Sequence, residues 1–509
     1  MTLARVAGAA ESAALDAAAI AAGTPARKLM RRAGASAAAR IVHHYADAMK
    51  HGVAVYAGAG NNGGDAWIVA RDLARRGVPV RVTEAAAPST EDAIAAREEA
   101  VRDMRLDAPH GDEGVIVDGL LGTGTRGIAR GAIAAAIAEI ADRRADGAAV
   151  VSLDVPSGLD ATSGAAEGSV RADLTLAFAT MKRGLLVARD YAGYIEVLDI
   201  GVHPPHDARL PSLIDARFVG ATVPALAAAA HKGTRRKLLV VGGALGMAGA
   251  TVLSGRAASR SGVGMVKLVV DRQSVAAVQA ALPEATAAEW PADATTAAAL
   301  VGWADTIVLG PGLGSDARAI VERFLRGTSV PVVLDADALT AFAGDIGALG
   351  ALLGGRRAVL TPHPAEFARL VGDSPSEVLV RRFEAGAQVA AATGAVVLLK
   401  GTPTVCTAPN GTRLISATGN AALATAGSGD LLSGIVGTLL AQIDDPLAAA
   451  ACAAWAHGRA AERARGARRT VRGVTLADMT RALGGVWEER GEMLDEGVLA
   501  ALPAAGDRR

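Results

Sequence analysis

The run Ala424-Thr-Ala-Gly-Ser-Gly-Asp-Leu-Leu-Ser-Gly434 carries the residues best placed to do chemistry. Gly427, Ser428 and Gly429 suit a tight turn, and the apolar run Leu431 to Leu440 reads as a buried helix. Asp430 then falls in the first turn of a helix opened by glycine. Free N–H groups at such a terminus attract an anion. A carboxylate beside the anion can take a proton from a substrate hydroxyl. Together these parts suit phosphoryl transfer. The competing reading is a plain helix cap by Ser428 or Asp430, typically worth about 1 kcal/mol. The stretch alone leaves both readings open.

A second group of polar residues lies in the first half. Gly58, Gly60 and Gly63 fit G-x-G-x-x-G, with Glu84 further on, which is the dinucleotide-binding fingerprint. Asp65 opposes that reading, because a carboxylate at the helix start would sit where a pyrophosphate must go. Asn61, Asn62 and Asp65 suggest instead a polar pocket with a cation, and oxygen-only ligands suit a hard ion. Asp118 ends the apolar run Val115 to Val117 and opens the glycine-rich stretch Gly119 to Gly127. Asp154 follows the run Ala149 to Leu153 and precedes Val155-Pro156-Ser157-Gly158. One such Asp is usually a turn former. Three strand ends with polar residues and glycine loops point to a ligand site at the carboxyl edge of a parallel sheet.

The elements that must position these residues alternate. A strand at Val53 to Tyr56, a turn through Asp65, a helix from Ala66 to Arg76 and a strand at Val78 to Val82 form one unit. Proline-punctuated residues 202–224 read as a linker. Beyond it, the runs at 237–241, 265–270, 306–309, 330–334, 358–360 and 396–399 read as strands ending in polar or glycine-rich loops. The fold class is therefore α/β, with two three-layer α/β/α domains. The chain has 509 residues, too many for one ordinary core. Hydrophobic residues make up 51% and aromatics only 3%, so Ala, Val, Leu and Ile must build the cores.

Zero net charge and the lack of a long basic run argue against nucleic-acid binding. No apolar run of about 20 residues indicates a membrane span. Cys406 and Cys452 alone give neither a disulfide framework nor a zinc motif, and a reducing cytoplasm is the expected home. Several residues have a plain structural reading. His363 caps a helix or packs a loop, His457 packs within a helix, and His43 and His44 lie on a surface or interface. Asp335 and Asp337 either help place magnesium or form a strand-end turn. Lys182 stays open between a catalytic and a surface role.

In this order the motifs resemble a known arrangement. Residues 1–220 resemble the NAD(P)HX epimerase domain (the YjeF N-terminal family), a Rossmann-like fold. Residues 225–509 resemble ADP- or ATP-dependent NAD(P)HX dehydratases of the ribokinase-like superfamily. The fusion resembles bifunctional NAD(P)H-hydrate repair enzymes, and the likeness rests on Leu29-Met30, Ala33-Gly34, Asn61 to Asp65, Asp118 to Gly127, Asp154 to Gly158, Gly310 to Gly314, Thr361 to Glu366, Lys400 to Thr404 and Gly427 to Asp430. The chain departs from the family pattern at Ala66, at Ser428 and at Gly242-Gly243-Ala244.

The resemblance implies roles. Asn61, Asn62, Gly63, Gly64, Asp65, Gly122, Thr123, Gly124, Thr125, Arg126, Gly127, Ile128 and Asp154 would line the hydrated nucleotide of the first domain. Asp154 would do acid/base work there, and Asn62, Asp118 and Ser157 would hold K+. In the second domain Ala250, Gly314, His363 and Asp430 would contact hydrated NADH or NADPH. Lys400, Gly401, Thr402, Pro403, Thr404 and Gly429 would hold ADP or ATP with Mg2+, and Asp430 would be the base. The amides of Gly427, Ser428 and Gly429 would stabilise the transferred phosphoryl. A homo-oligomer is expected. The rival is a vitamin or sugar kinase with an N-terminal nucleotide-binding module.

Overall fold

The computed structural model describes residues 3–104, 111–203, 209–489 and 494–505. The chain forms two compact units, Met1–Leu210 with Met493–Arg509, and Pro211–Glu492. This division departs from boundaries at 220 and 225, and from a second domain running to 509. Ser212–Leu213 pairs with Arg413–Ser416 in the second sheet, and Ala216–Thr222 forms a helix, so half of the expected linker is ordered structure of the second unit. At the other end Val498–Leu502 returns to the first unit. It pairs antiparallel with Tyr194–Leu198 and covers what would otherwise be an open sheet edge.

The first unit is built on a seven-stranded sheet. Its order is Val498–Leu502, Tyr194–Leu198, Leu174–Phe178, Ala149–Leu153, Val115–Gly119, Val53–Ala57, Val80–Glu84. All neighbours except the returning C-terminal strand are parallel. The central strands are apolar on both faces and fully buried, as a sheet covered by helices on both sides requires. Strand order reverses between Val53–Ala57 and Val115–Gly119, which is the flavodoxin-like variant of the doubly wound fold. A crevice is expected where the loops after those two strands part.

The helix after the first strand starts earlier than its sequence suggests. It spans Asn61–Arg75, so Asn61 to Asp65 are its opening residues rather than a loop. The glycines explain this. A Cβ on Gly63 would stand 1.9 Å from Gly58 O, and one on Gly58 would stand 1.8 Å from Leu120 O. The fingerprint glycines thus serve close packing of turn, helix start and neighbouring loop. Gly64 similarly admits Met30 from the helix Ala26–Tyr45.

The second unit carries a ten-stranded sheet. The strands Thr286–Glu289, Met265–Val270, Lys237–Val241, Thr306–Leu309, Val332–Leu334, Ala358–Leu360 and Val396–Leu399 run parallel in that order. Thr404–Thr407 and Arg413–Ser416 continue it antiparallel. The helix Ser428–Gln442 packs against the helix Ala248–Arg260, and almost all of it is buried. Small residues make this possible, since a Cβ on Gly434 would lie 2.1 Å from Ser254 O.

Candidate active sites

In the first unit a cavity of about 580 Å³ opens at the switch point of the sheet. Asn61, Asn62, Asp65, Gly122, Thr123, Gly124, Thr125 and Asp154 line it. Gly63 and Gly64 lie behind the wall as packing positions, and Ile128 is exposed outside it. Arg126, Gly127, Asp118 and Ser157 are also not among the lining residues.

Asp154 sits at the end of Ala149–Leu153 with φ of 62°, a left-handed conformation that costs a non-glycine residue about 1–3 kcal/mol. That strain aims its carboxylate at Lys182, with which it forms an ion pair, while Phe178 N donates to it at 3.1 Å. Lys182 Nζ also donates to Phe178 O at 2.7 Å. Lys182 is only 2% exposed, so it is no surface lysine. Two further carboxyls face the same space. Burial pushes the Asp65 carboxyl well above the usual carboxylate range, with Asp154 and Asp16 adding to the effect and Lys182 opposing it. Asp16, on the exposed side of the cavity, is also raised, by partial desolvation there and against the pull of Lys182.

Asp118 is fully buried behind this wall. It accepts from Ser152 Oγ (2.8 Å), Ser157 N (2.9 Å), Ser157 Oγ (2.5 Å) and Leu120 N (3.3 Å). Burial still raises its carboxyl, with those donors pulling the other way. Asn62 Nδ2 donates to Leu121 O (2.9 Å) and Leu153 O (3.1 Å), which leaves Asn62 Oδ1 buried without a partner. An orphaned amide oxygen near a buried carboxylate fits a hard cation.

The second site assembles at the parallel strand ends. Lys400, just after Val396–Leu399, donates to Asp335 Oδ1 at 2.8 Å and lies 3.8 Å from Glu366 Oε2. A Cβ on Gly429 would stand 3.2 Å from Lys400 Nζ, which places the helix start against this cation. Burial pushes Asp430 up to about 7, helped by Asp335, Asp337 and Glu366 and opposed by Lys400. Asp337 Oδ2 accepts from Gly314 N at 2.9 Å and so ties the Gly310 to Gly314 loop to the same cluster. Asp335, left open between a turn and a metal role, is the lysine's partner.

The amides at the helix start are only partly as expected. Ser428 N donates to Thr425 O at 3.1 Å and is not free for a ligand. The amides of Gly427, Gly429 and Asp430 have no protein partner among the described residues. Ser428 Oγ instead contacts His457 Nε2 at 3.1 Å. Burial pushes His457 down to about 4, so it is a neutral support behind the loop. His363 does cap a helix, its Nδ1 accepting from Ala365 N (3.1 Å) and Glu366 N (3.3 Å). That fixes the tautomer with hydrogen on Nε2 and leaves this edge of the half-exposed ring as a donor.

The neighbouring loops complete the surface. Gly243 N and Ala244 N donate to Pro311 O (2.9 Å) and Gly312 O (2.7 Å), so the Gly242-Gly243-Ala244 turn is clamped to the glycine loop, and Ala250 sits beside Gly312. After Lys400 the chain runs through Gly401, Thr402 and Pro403 to Thr404, with Arg382 bound to Thr402 O.

Two α/β/α units, one with an enclosed acid/base cavity and one with an acid at an open helix start, define a fused two-site enzyme. A family model described as YjeF-related protein N-terminus matches residues 26–184, and one described as NAD(P)H-hydrate dehydratase matches 238–483. The chain is 35% identical over 508 residues to a bifunctional NAD(P)H-hydrate repair enzyme of Moorella thermoacetica, covering 91% of this chain and 94% of that one. It is also 35% identical to the enzyme of that name from Escherichia coli, over 89% of this chain and 88% of that one. An ADP/ATP-dependent NAD(P)H-hydrate dehydratase from Bacillus subtilis, co-crystallized with ATP/Mg2+, is 32% identical, with a TM-score of 0.49 over 54% of this chain and 98% of that chain. The chain belongs to the family of bifunctional NAD(P)H-hydrate repair enzymes. The vitamin or sugar kinase reading falls with that result, because the relatives span both halves.

Proposed function

We propose that the first unit interconverts the R and S epimers of hydrated NADH and NADPH, and that the second dehydrates the S epimer with ADP or ATP. The observation that carries the second half is Asp430, a carboxyl raised to about 7 beside free helix-start amides and Lys400. Hydroxide leaves poorly, and phosphorylation makes it a good leaving group. Asp430 takes the hydroxyl proton as the oxygen attacks the terminal phosphorus and the bond to the nucleotide breaks. A base with its pKa near the working pH is best matched to that transfer. The amides of Gly427, Gly429 and Asp430 stabilise the phosphoryl charge, each worth about 10²–10³ in rate. Phosphate then leaves with the C–O electron pair, the neighbouring ring carbon loses a proton to solvent, and that C–H pair restores the ring double bond.

Ala250, Gly314 and the His363 Nε2 edge border the hydrated ring in this reading. Lys400 to Thr404 and Gly429 hold the adenine nucleotide. No group of three or more His, Cys, Asp or Glu side chains able to hold a metal exists among the described residues. Mg2+ would enter with the nucleotide phosphates, with Asp337 or Glu366 to help hold it, and would supply charge neutralisation there.

In the first unit Asn62, Asp118 and Ser157 would hold K+, a reading supported by the orphaned Asn62 Oδ1 and the buried Asp118. Asp154 does acid/base work beside Lys182. The reading includes a cytoplasmic home, supported by two free buried cysteines, and a homo-oligomer assembled through alanine-rich helices. Among the described residues no helix is long and apolar enough to cross a membrane.

The test mixes the protein with hydrated NADH and either nucleotide and follows the near-ultraviolet absorbance of NADH. Recovery is expected with ADP or ATP, and no recovery with either overturns the proposal.

A further inference from the structure

The N-terminal arm precedes the segment that the family model matches, yet it closes the first cavity. Val6–Ala7 pairs in parallel with Met181–Lys182, the two residues that end in the site lysine. Ala9 N donates to Thr162 Oγ1 at 2.9 Å, Ser12 Oγ shares a hydrogen with Thr180 Oγ1 at 2.8 Å, and Glu11 pairs with Arg183 at 3.0 Å. These anchors fix the helix Ala9–Ala21 across the cavity mouth. Ser12, Leu15 and Asp16 line the cavity from this helix, together with Asp65 and Asp154.

Four aspartates line the cavity, and three of them, Asp16, Asp65 and Asp154, lie within electrostatic reach of one another and of the single ammonium of Lys182, while Asp92 belongs to the start of the helix Glu91–Asp103. Asp154 has Lys182 as its partner. Asp65 is 8% exposed and faces the cavity, with no hydrogen-bond donor to its carboxyl among the described residues. Three carboxylates around one ammonium leave two negative charges in excess, which favours a proton held among them. Such a cluster can give one proton and take another in the same turnover.

We propose that Asp16, supplied by the N-terminal arm, is the second acid/base group of the epimerising site and works opposite Asp154. This rests on the epimerase reading of the first unit. In ring opening, one carboxylate takes the O–H proton of the hydrated carbon, and that electron pair forms C=O. The C–N pair moves to the ring nitrogen, which takes a proton from the opposing carboxyl. Closure on the other face reverses each transfer, so the cluster ends with its starting protons. The groups facing Asp16 are Asp65 on the helix Asn61–Arg75, Asp154 at its strand end and Lys182 in the strand Met181–Lys182.

The test uses the full-length protein without ADP or ATP, one isolated epimer of hydrated NADH, and chromatographic separation of the products. Asp16→Asn should keep binding of hydrated NADH within about threefold and cut epimerisation about 10²-fold or more, the usual range for losing a general acid or base. Its pH–rate profile should lose one limb, and Asp16→Glu should restore part of the rate. Glu11→Gln weakens an arm anchor outside the cavity lining and leaves Asp16, so any change in rate should come with an unchanged pH profile. A wild-type rate for Asp16→Asn, or a loss with an unchanged pH profile, overturns the proposal. A wild-type protein that fails to epimerise overturns the epimerase reading itself.

Discussion

Each unit places one strand-end aspartate against one lysine, but the two pairs are used differently. In the first, Lys182 is almost fully buried and its pair with Asp154 forms part of an enclosed cavity wall shared with Asp16 and Asp65. In the second, Lys400 is bound to Asp335 and Glu366 and faces the start of a helix whose amides are open to a ligand. In the proposed reading the first arrangement stores and moves protons, as an epimerisation needs, and the second couples one base to an anion-binding terminus, as a phosphoryl transfer needs. The same ion pair thus takes its meaning from what stands opposite it: carboxyls in one case, free N–H groups in the other.

The largest expected effect breaks the two pairs separately. Lys182→Met should cut epimerisation about 10²-fold and leave dehydration of the S epimer near wild type. Lys400→Met should do the reverse. Removing one partner of a buried pair typically costs about 3–5 kcal/mol, so Lys182→Met should lower the melting temperature more than Lys400→Met. Parallel loss of both activities in either variant would contradict the division of labour.

A smaller effect concerns the raised Asp430. Its carboxyl moves from 3.8 to about 7 on folding, so the folded state resists ionising it. Stability linked to this group is fully present below 3.8 and is lost as pH rises through about 7. Asp430→Asn should therefore raise the melting temperature at about pH 8 and leave it unchanged at about pH 4. An equal shift at both values would show that the group is not the one titrating.

The smallest effect is potassium on the first unit. Replacing a bulky organic cation by K+ should raise its melting temperature by about 2–4 °C, and Asn62→Ala should abolish the difference. No potassium effect on the wild-type protein would remove the Asn62–Asp118–Ser157 site from the account.

Much of this was legible in sequence because strand-end positions are marked by runs of buried apolar residues followed by Asp, Lys or glycine. Asp118, Asp154 and Lys400 fall on such boundaries, and Asp430 is marked by the reverse order, a glycine turn followed by an apolar helix. Residues whose role depends on distant partners were not legible. Asp16 lies on an alanine-rich helix with no motif around it, and only the pairing of Val6–Ala7 with Met181–Lys182 brings it to the cavity. Lys182 was ambiguous because its burial is tertiary. The opening of the helix at Asn61 was hidden by two glycines that suggest a loop but are required by contact with Gly58 and Met30. Val498–Leu502 looked like the tail of the second domain because strand pairing across about 300 residues leaves no local signal.

The central claim is that two independent sites share one chain. The most direct measurement gives the R epimer of hydrated NADH and ADP or ATP to Asp154→Asn and Asp430→Asn proteins, separately and mixed. Each alone should return NADH no faster than spontaneous epimerisation or dehydration allows, and the mixture should restore repair to near the wild-type rate. A mixture no faster than the better single variant would contradict the account.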